Sequence, residues 1–281
     1  AINLAIIAAA TTFGSNIYNI LHATWCIYRQ NVANAKGRMI LMLPLVKAGG
    51  SLKPIKEHGI KPSVREMDGA MRVLTALTLL TAFVAVSMVL FGQVKGVEDK
   101  IGGDLYQLIW PVGMVLFILC VGVLYYFRKS QRPESPIEEV VEEERYYDQQ
   151  STSRIWLDLA LSGGAILFTA ESMVKAMEVF SQLTHVPFVI TGIMAGLIGS
   201  LGEILVVHNF SVNPRGRIGD AITGVAMDNI VTTLGAAVVA IMGGIFLGGN
   251  SLIIIFIVIL TANTLLMEQI SRLKNSLQAV E

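Results

Sequence analysis

The sequence is poor in charge. Asp, Glu, Lys and Arg make up 15% of its 281 residues, where a soluble globular domain carries roughly 25%. That leaves too little polar surface to face water on all sides. Nor is there an excess of either sign: 21 Lys and Arg stand against 21 Asp and Glu. With no basic surplus to neutralise phosphates, a nucleic-acid partner is excluded. Only two cysteines are present, Cys26 and Cys120, each in an apolar run without a CxxC partner or a His at ligand spacing. They read as core residues, which excludes a disulfide framework and a thiolate metal site. No nucleophile–base pair and no glycine-rich cofactor fingerprint is found, so neither an enzyme nor a resident cofactor is expected. What the chain has in quantity is apolar: 53% hydrophobic residues and a mean hydropathy of +0.62. The class left standing is a multi-pass, all-α membrane protein whose first partner is the lipid bilayer.

A bilayer-crossing helix needs about 20 largely apolar residues. Seven stretches qualify: 2–28, 68–92, 105–127, 155–182, 186–208, 218–247 and 250–270. Met39–Leu45 is too short to cross and reads as interfacial. With seven crossings, the connectors 29–66, 128–154 and 209–217 and the carboxyl-terminal tail share one face, and together hold 17 of the 21 Lys and Arg. The opposite face holds Lys95 and Lys100. The positive-inside rule then places the amino terminus outside and the carboxyl terminus in the cytoplasm. The rule does not name the membrane. The acidic, Pro-containing segment 128–154 divides the chain into a first transmembrane bundle, 1–127, and a second, 155–281. It reads as a solvated cytoplasmic linker. The opening run AINLAIIAAATTFGSNIYNIL lacks a basic leader region and a polar cleavage stretch, so it is not a signal peptide. Because it is intramembrane in character from Ala1 onward, the sequence is expected to start partway through a longer gene product.

Polar groups inside a bilayer are costly, so each is a functional candidate. Glu203 lies near the middle of the fifth span, surrounded by Gly192, Gly196, Gly199 and Gly202, with Ser200 beside it. Glycines at this density allow close helix approach, or a break that frees backbone carbonyls. Asp220, Gly224 and Asp228 in the sixth span are four apart and share a helix face, with Asn229 next to the deepest of them. Asp220 is also consistent with a first-turn helix acid. Thr11, Thr12, Gly14, Ser15, Asn16 and Asn19 make the first span polar, and residues 14–21 weakly match residues 227–234. The two spans cross in opposite directions, and inverted repeats around a midplane polar site mark secondary transporters. Glu171 and Lys175 in the fourth span are spaced for an intrahelical ion pair. His22, His185 and His208 sit near span ends and read as interfacial.

The runs GLIGSLGEILVV and GDAITGVAMDNIVTTLGAA resemble the second α-repeat of the sodium/calcium exchanger (cation/calcium antiporter) superfamily. That family carries a G-T-S-L-P-E motif on one helix and G-N-x-x-G-S-N-x-x-N on the next. Ser200, Leu201 and Glu203 match, Gly199 stands at the Thr and Gly202 at the Pro. Gly224 stands at the family's Asn or Asp, Asp228 at its Ser, and Asn229 matches. FGSNIYNI similarly resembles the end of the first α-repeat through Gly14, Ser15, Asn16 and Asn19, with Thr11 at the Asn position. The resemblance implies an inverted-repeat bundle corresponding to the third to ninth of ten family spans, with the first repeat incomplete and the first acidic motif helix outside the sequence. It also implies a calcium antiporter coupled to sodium, potassium or protons, working by alternating access. The implied cation ligands are Glu203, Asp228, Asn229, Ser200, Ser15, Asn16 and Thr11. These are hard oxygen donors, as calcium and sodium require; soft ligands for zinc or copper are missing. The alternative is a transport-incompetent scaffold or accessory subunit that joins other membrane subunits. A retinal-type receptor is disfavoured, because the last span has no Lys for a Schiff base.

Overall fold

A computed structural model describes residues 2–36, 62–96, 104–130, 150–212 and 217–279. Among these residues are eight helices: α1 (Ile2–Lys36), α2 (Val64–Phe91), α3 (Trp110–Ser130), α4 (Thr152–Thr184), α5 (Phe188–Gly199), α6 (Leu201–Val212), α7 (Ile218–Ile241) and α8 (Gly249–Gln278). Six are long and apolar enough to cross a membrane, and the pair α5–α6, bent by 48°, adds a seventh where it counts as one broken span. The chain forms a helical bundle whose apolar helices are compatible with a multi-pass membrane protein. The segments Met39–Leu45 and most of 128–154 fall outside the described residues.

Local chemistry sets several ends. Ser63 caps α2, accepting from the Glu66 amide while the Glu66 carboxylate accepts from the Ser63 amide. This reciprocal box satisfies two of the donors a helix start leaves open. Ser151 caps α4 in the same way from its side chain. At the far end of α4, His185 adopts a left-handed conformation (φ 58°) that turns the chain into Pro187 and α5.

The residue pairs brought together define the crossing directions. Phe13 meets Phe256 with ring centroids 5.0 Å apart, and the Asn31 amide donates to Gln269, so α1 and α8 run parallel. Lys274 pairs with Asp68 at 2.7 Å, which makes α8 antiparallel to α2. Gly219 abuts Glu66 and Met67, so α7 is parallel to α2 and opposed to α1. One continuous apolar core runs through Ile20, Leu74, Leu116, Ile230 and Leu266, drawing on α1, α2, α3, α7 and α8 together. Helix α4 stands apart: Ser181 is its one buried residue, and its Leu, Phe and Trp side chains point outward.

One feature departs from the all-helical reading. The spans at 105–127 and 218–247 are not helical throughout, because β1 (Gln93–Val94), β2 (Leu105–Gln107) and β3 (Phe246–Gly248) form a three-stranded antiparallel sheet. Gln93 pairs with Tyr106, and Tyr106 pairs with Leu247. Helix α7 ends at Ile241, and Gly243 (φ 82°) reverses the chain into β3. Hydropathy merged strand and helix because the connector GGIFLGG is itself apolar. The sheet puts β1 and β2 on the same side of the bundle as β3, as the even number of crossings between them requires when α3, α4, the α5–α6 pair and α7 each cross once.

Candidate functional site

The fifth span is two half-helices. Helix α5 ends at Gly199, Ser200 makes the turn, and α6 starts at Leu201. Ser200 is buried; its amide and its hydroxyl both donate to Gly196 O, the hydroxyl at 2.7 Å. The same hydroxyl lies 3.3 Å from the carbonyl oxygen of Ser15 on α1. The break thus leans directly on the polar stretch of the first span, a contact between segments far apart in sequence.

The close approach behind this contact comes from glycine. A Cβ at Gly196 would sit 2.7 Å from Ser15 N and from Thr11 O, and one at Gly192 would sit 2.6 Å from Ala10 Cβ and Ile7 O. Gly14 returns the favour, with Ile193 Cα 2.9 Å from its Cβ position. Helices α1 and α5 therefore touch backbone to backbone over two turns, as small residues permit in membranes. The other glycines of the motif do something different. Gly199, Gly202 and Gly224 have nothing within 4 Å of their Cβ positions and lie on an open face.

Glu203 occupies the first turn of α6, where the helix dipole favours negative charge. It is half-buried, and its Oε2 atom is enclosed without a hydrogen-bond partner among the described residues. Asp228 on α7 is half-buried and close enough for its charge to interact with that of Glu203. Two carboxylates this near repel each other when both are ionised. A bound cation or proton would relieve that. Asn229, beside Asp228, is fully buried with both side-chain polar atoms unpartnered.

The α1 residues divide. Thr11 Oγ1 donates to Ile7 O at 2.8 Å, and Ser15 Oγ donates to Thr12 O at 2.9 Å, so both hydroxyl protons are spent on their own helix while their oxygens keep lone pairs. Asn16 and Asn19 are buried, and each has an unpartnered Oδ1. Of the candidate ligands, the structure brings Ser200 to Ser15, sets Thr11 against Gly196 one turn before the break, and holds Glu203 and Asp228 near enough for their charges to interact. Among the described residues no group of three or more His, Cys, Asp or Glu is placed to hold a metal ion. A cation here would draw on amide, hydroxyl and carbonyl oxygens around two carboxylates, as hard cations accept. An open groove of about 700 Å³ lies elsewhere, between α2 and α3, lined by Met71, Arg72, Leu79, Ile118 and Tyr126.

Two residues outside the predicted set matter. Asn263 of α8 is fully buried, with both side-chain polar atoms unpartnered among the described residues; its one signal was an Asn inside the apolar run 252–267. The position of His208 near a span end did not signal its burial. The side chain is buried on α6 and stacks on His22 of α1, ring centroids 6.1 Å apart. Glu171 and Lys175 form the expected pair at 2.6 Å on the exposed side of α4. Comparison of the chain with protein-family models, with curated proteins and with solved structures finds no match.

Proposed function

We propose that the chain is a secondary-active cation antiporter of the sodium/calcium exchanger type, exchanging calcium or a similar cation for sodium, potassium or protons by alternating access. The observation that carries this reading is the broken span. Its turn at Ser200 is seated against Ser15 on α1, and its second half begins with Glu203 facing Asp228 on α7. Discontinuous helices with acidic groups at the break are how transporters build ion sites at the midplane. The opposed directions of α1 and α7, which carry the weakly repeated segments 14–21 and 227–234, support an inverted-repeat architecture. An uncompensated carboxylate at this depth costs at least ~2.5–3.5 kcal/mol on insertion scales, and a bound cation offsets that while leaving it exchangeable.

The second reading is a transport-incompetent scaffold or accessory subunit. It is favoured by the number of acids at the site, two, and by the open face at Gly199, Gly202 and Gly224. Glu203→Gln separates the two readings, because it keeps shape and hydrogen bonding and removes the charge. In vesicles under imposed sodium, potassium and proton gradients, an antiporter loses calcium flux and calcium-dependent stabilisation in this variant, while the protein still inserts. A scaffold shows no calcium response in either form. An unaltered calcium response in the Gln variant would refute the assignment of this site.

A further inference from the structure

A second polar cluster lies one helical turn beyond the candidate cation site, at the interface of α1 with α6. His22, Cys26 and Arg29 follow one another on one face of α1 at helical spacing. Opposite them, α6 presents His208 and Ser211, with Cys26 lying against Ser211. Arg29 is 5% exposed and His208 2%. The charge of Arg29 is felt at both imidazoles. Four nitrogens of the cluster are enclosed without a hydrogen-bond partner among the described residues: Arg29 Nε, Arg29 Nη2, His22 Nε2 and His208 Nε2.

The identity of these atoms is informative. A guanidinium stays protonated at any accessible pH, so its charge cannot be shed to suit burial. Nε and Nη2 form one edge of the guanidinium, the edge that grips two oxygens of one oxyanion at once. Water could satisfy the donors but would leave the charge unbalanced. Among the described residues Arg29 has no carboxylate partner: the ion pairs found involve Lys175, Arg272 and Lys274.

We propose that Arg29, His22 and His208 form a binding site for an oxyanion of the phosphate class, gripped on the Nε–Nη2 edge of Arg29 and capped by the two Nε2 atoms. The phosphate has two possible sources, a free ion or a lipid headgroup reaching in along α1 past the half-buried His22. The site is separate from Glu203 and Asp228, and it stands or falls independently of the transport reading.

The test uses the full chain purified in detergent, with inorganic phosphate titrated at constant ionic strength against chloride and thermal unfolding as the readout. Binding to the folded state alone raises the midpoint with saturation, by on the order of 5 °C at saturating phosphate. Arg29→Gln abolishes the shift. His208→Gln weakens apparent affinity on the order of tenfold, the loss of one hydrogen bond to a charged group. Glu203→Gln leaves the shift intact. Should Arg29→Gln fail to fold, Arg29→Lys decides, since it keeps the charge but loses the fork and must show a diminished shift. Reconstitution into phosphatidylcholine vesicles with and without phosphatidic acid separates the sources. A headgroup ligand makes phosphatidic acid stabilising and inorganic phosphate its competitor, whereas a free ion gives the phosphate shift alone. The proposal is overturned if neither probe moves the wild-type midpoint, or if the Arg29 variants respond as wild type does, since that would mark a general salt effect.

Discussion

Adding one methyl group at Gly196 tests whether the backbone contact between α1 and α5 holds the site together. In Gly196→Ala the new Cβ meets Ser15 N and Thr11 O at 2.7 Å and Gly14 C at 2.9 Å. All three are backbone atoms of one helix, so no side chain can rotate away. Restoring ordinary contact at 3.4 Å means moving the two helices apart by about 0.7 Å. Overpacking of this kind costs ~1–3 kcal/mol, and three simultaneous contacts against rigid backbone put the cost at the upper end. The better helix propensity of alanine returns ~1 kcal/mol, leaving a net loss of ~2 kcal/mol. Gly224→Ala is the matched control. Nothing lies within 4 Å of its Cβ position, so only the propensity gain of up to ~1 kcal/mol applies. The same chemical change should therefore move the unfolding midpoint down at one glycine and leave it level or higher at the other. Because the Ser200 hydroxyl reaches Ser15 O at 3.3 Å, the separation also breaks that bond, and flux should fall in Gly196→Ala but not follow stability in Gly224→Ala. Thermal unfolding of both variants in one detergent reads the first point and vesicle flux the second. If Gly196→Ala unfolds at or above the wild-type midpoint, the close approach does not constrain the fold and the reasoning fails.

Two further expectations concern the same framework. Ser200→Ala removes the hydroxyl that donates to Gly196 O and reaches Ser15 O, and should cost ~1 kcal/mol without preventing insertion; a midpoint equal to wild type would show that the turn does not depend on its side chain. Cysteines introduced at Gln93 and Ser135 should label from opposite sides of the membrane, Gln93 from outside, with low background because Cys26 and Cys120 are both buried. Labelling of both from one side would overturn the seven-crossing topology.

The helices were legible in the sequence because hydropathy is read over a whole turn-by-turn run, and runs such as 68–92 leave no other option. Their ends were harder. Residues 242–249 are as apolar as the helix before them, so nothing in composition distinguishes the reversal at Gly243 from continued helix. The break at Ser200 was readable as a cluster of glycines, but the division of labour among them was not. Gly192 and Gly196 touch α1 whereas Gly199 and Gly202 face open space, and which is which depends on a helix distant in sequence. Arg29 illustrates the opposite limit. By sequence it begins a basic connector, yet α1 continues to Lys36 and carries Arg29 and Gln30 into the buried interface. His22 and His208 each looked ordinary, and only the parallel course of α1 and α6 makes them a pair.

The three-stranded sheet has a mechanical consequence. Strands β1 and β2 join α2 to α3, and β3 joins α7 to α8, so the hydrogen bonds between β2 and β3 buckle four helices together at one end. Rigid-body rocking of α2–α3 against α7–α8 would have to shear that buckle, losing its pairings one by one. Outside it are α1, which nevertheless packs against β3 and α8, and α4, α5 and α6; of these α4, with Ser181 its one buried residue, is the least enclosed. A slide of α1 with α5 and α6 past the buckled helices would have to shear the α1–α8 contacts at Phe13–Phe256 and Asn31–Gln269, which leaves α4, joined to α5 through the left-handed turn at His185, as the element with least to break. The clasped quartet, with α1 packed along α8, is the stiff side of the bundle.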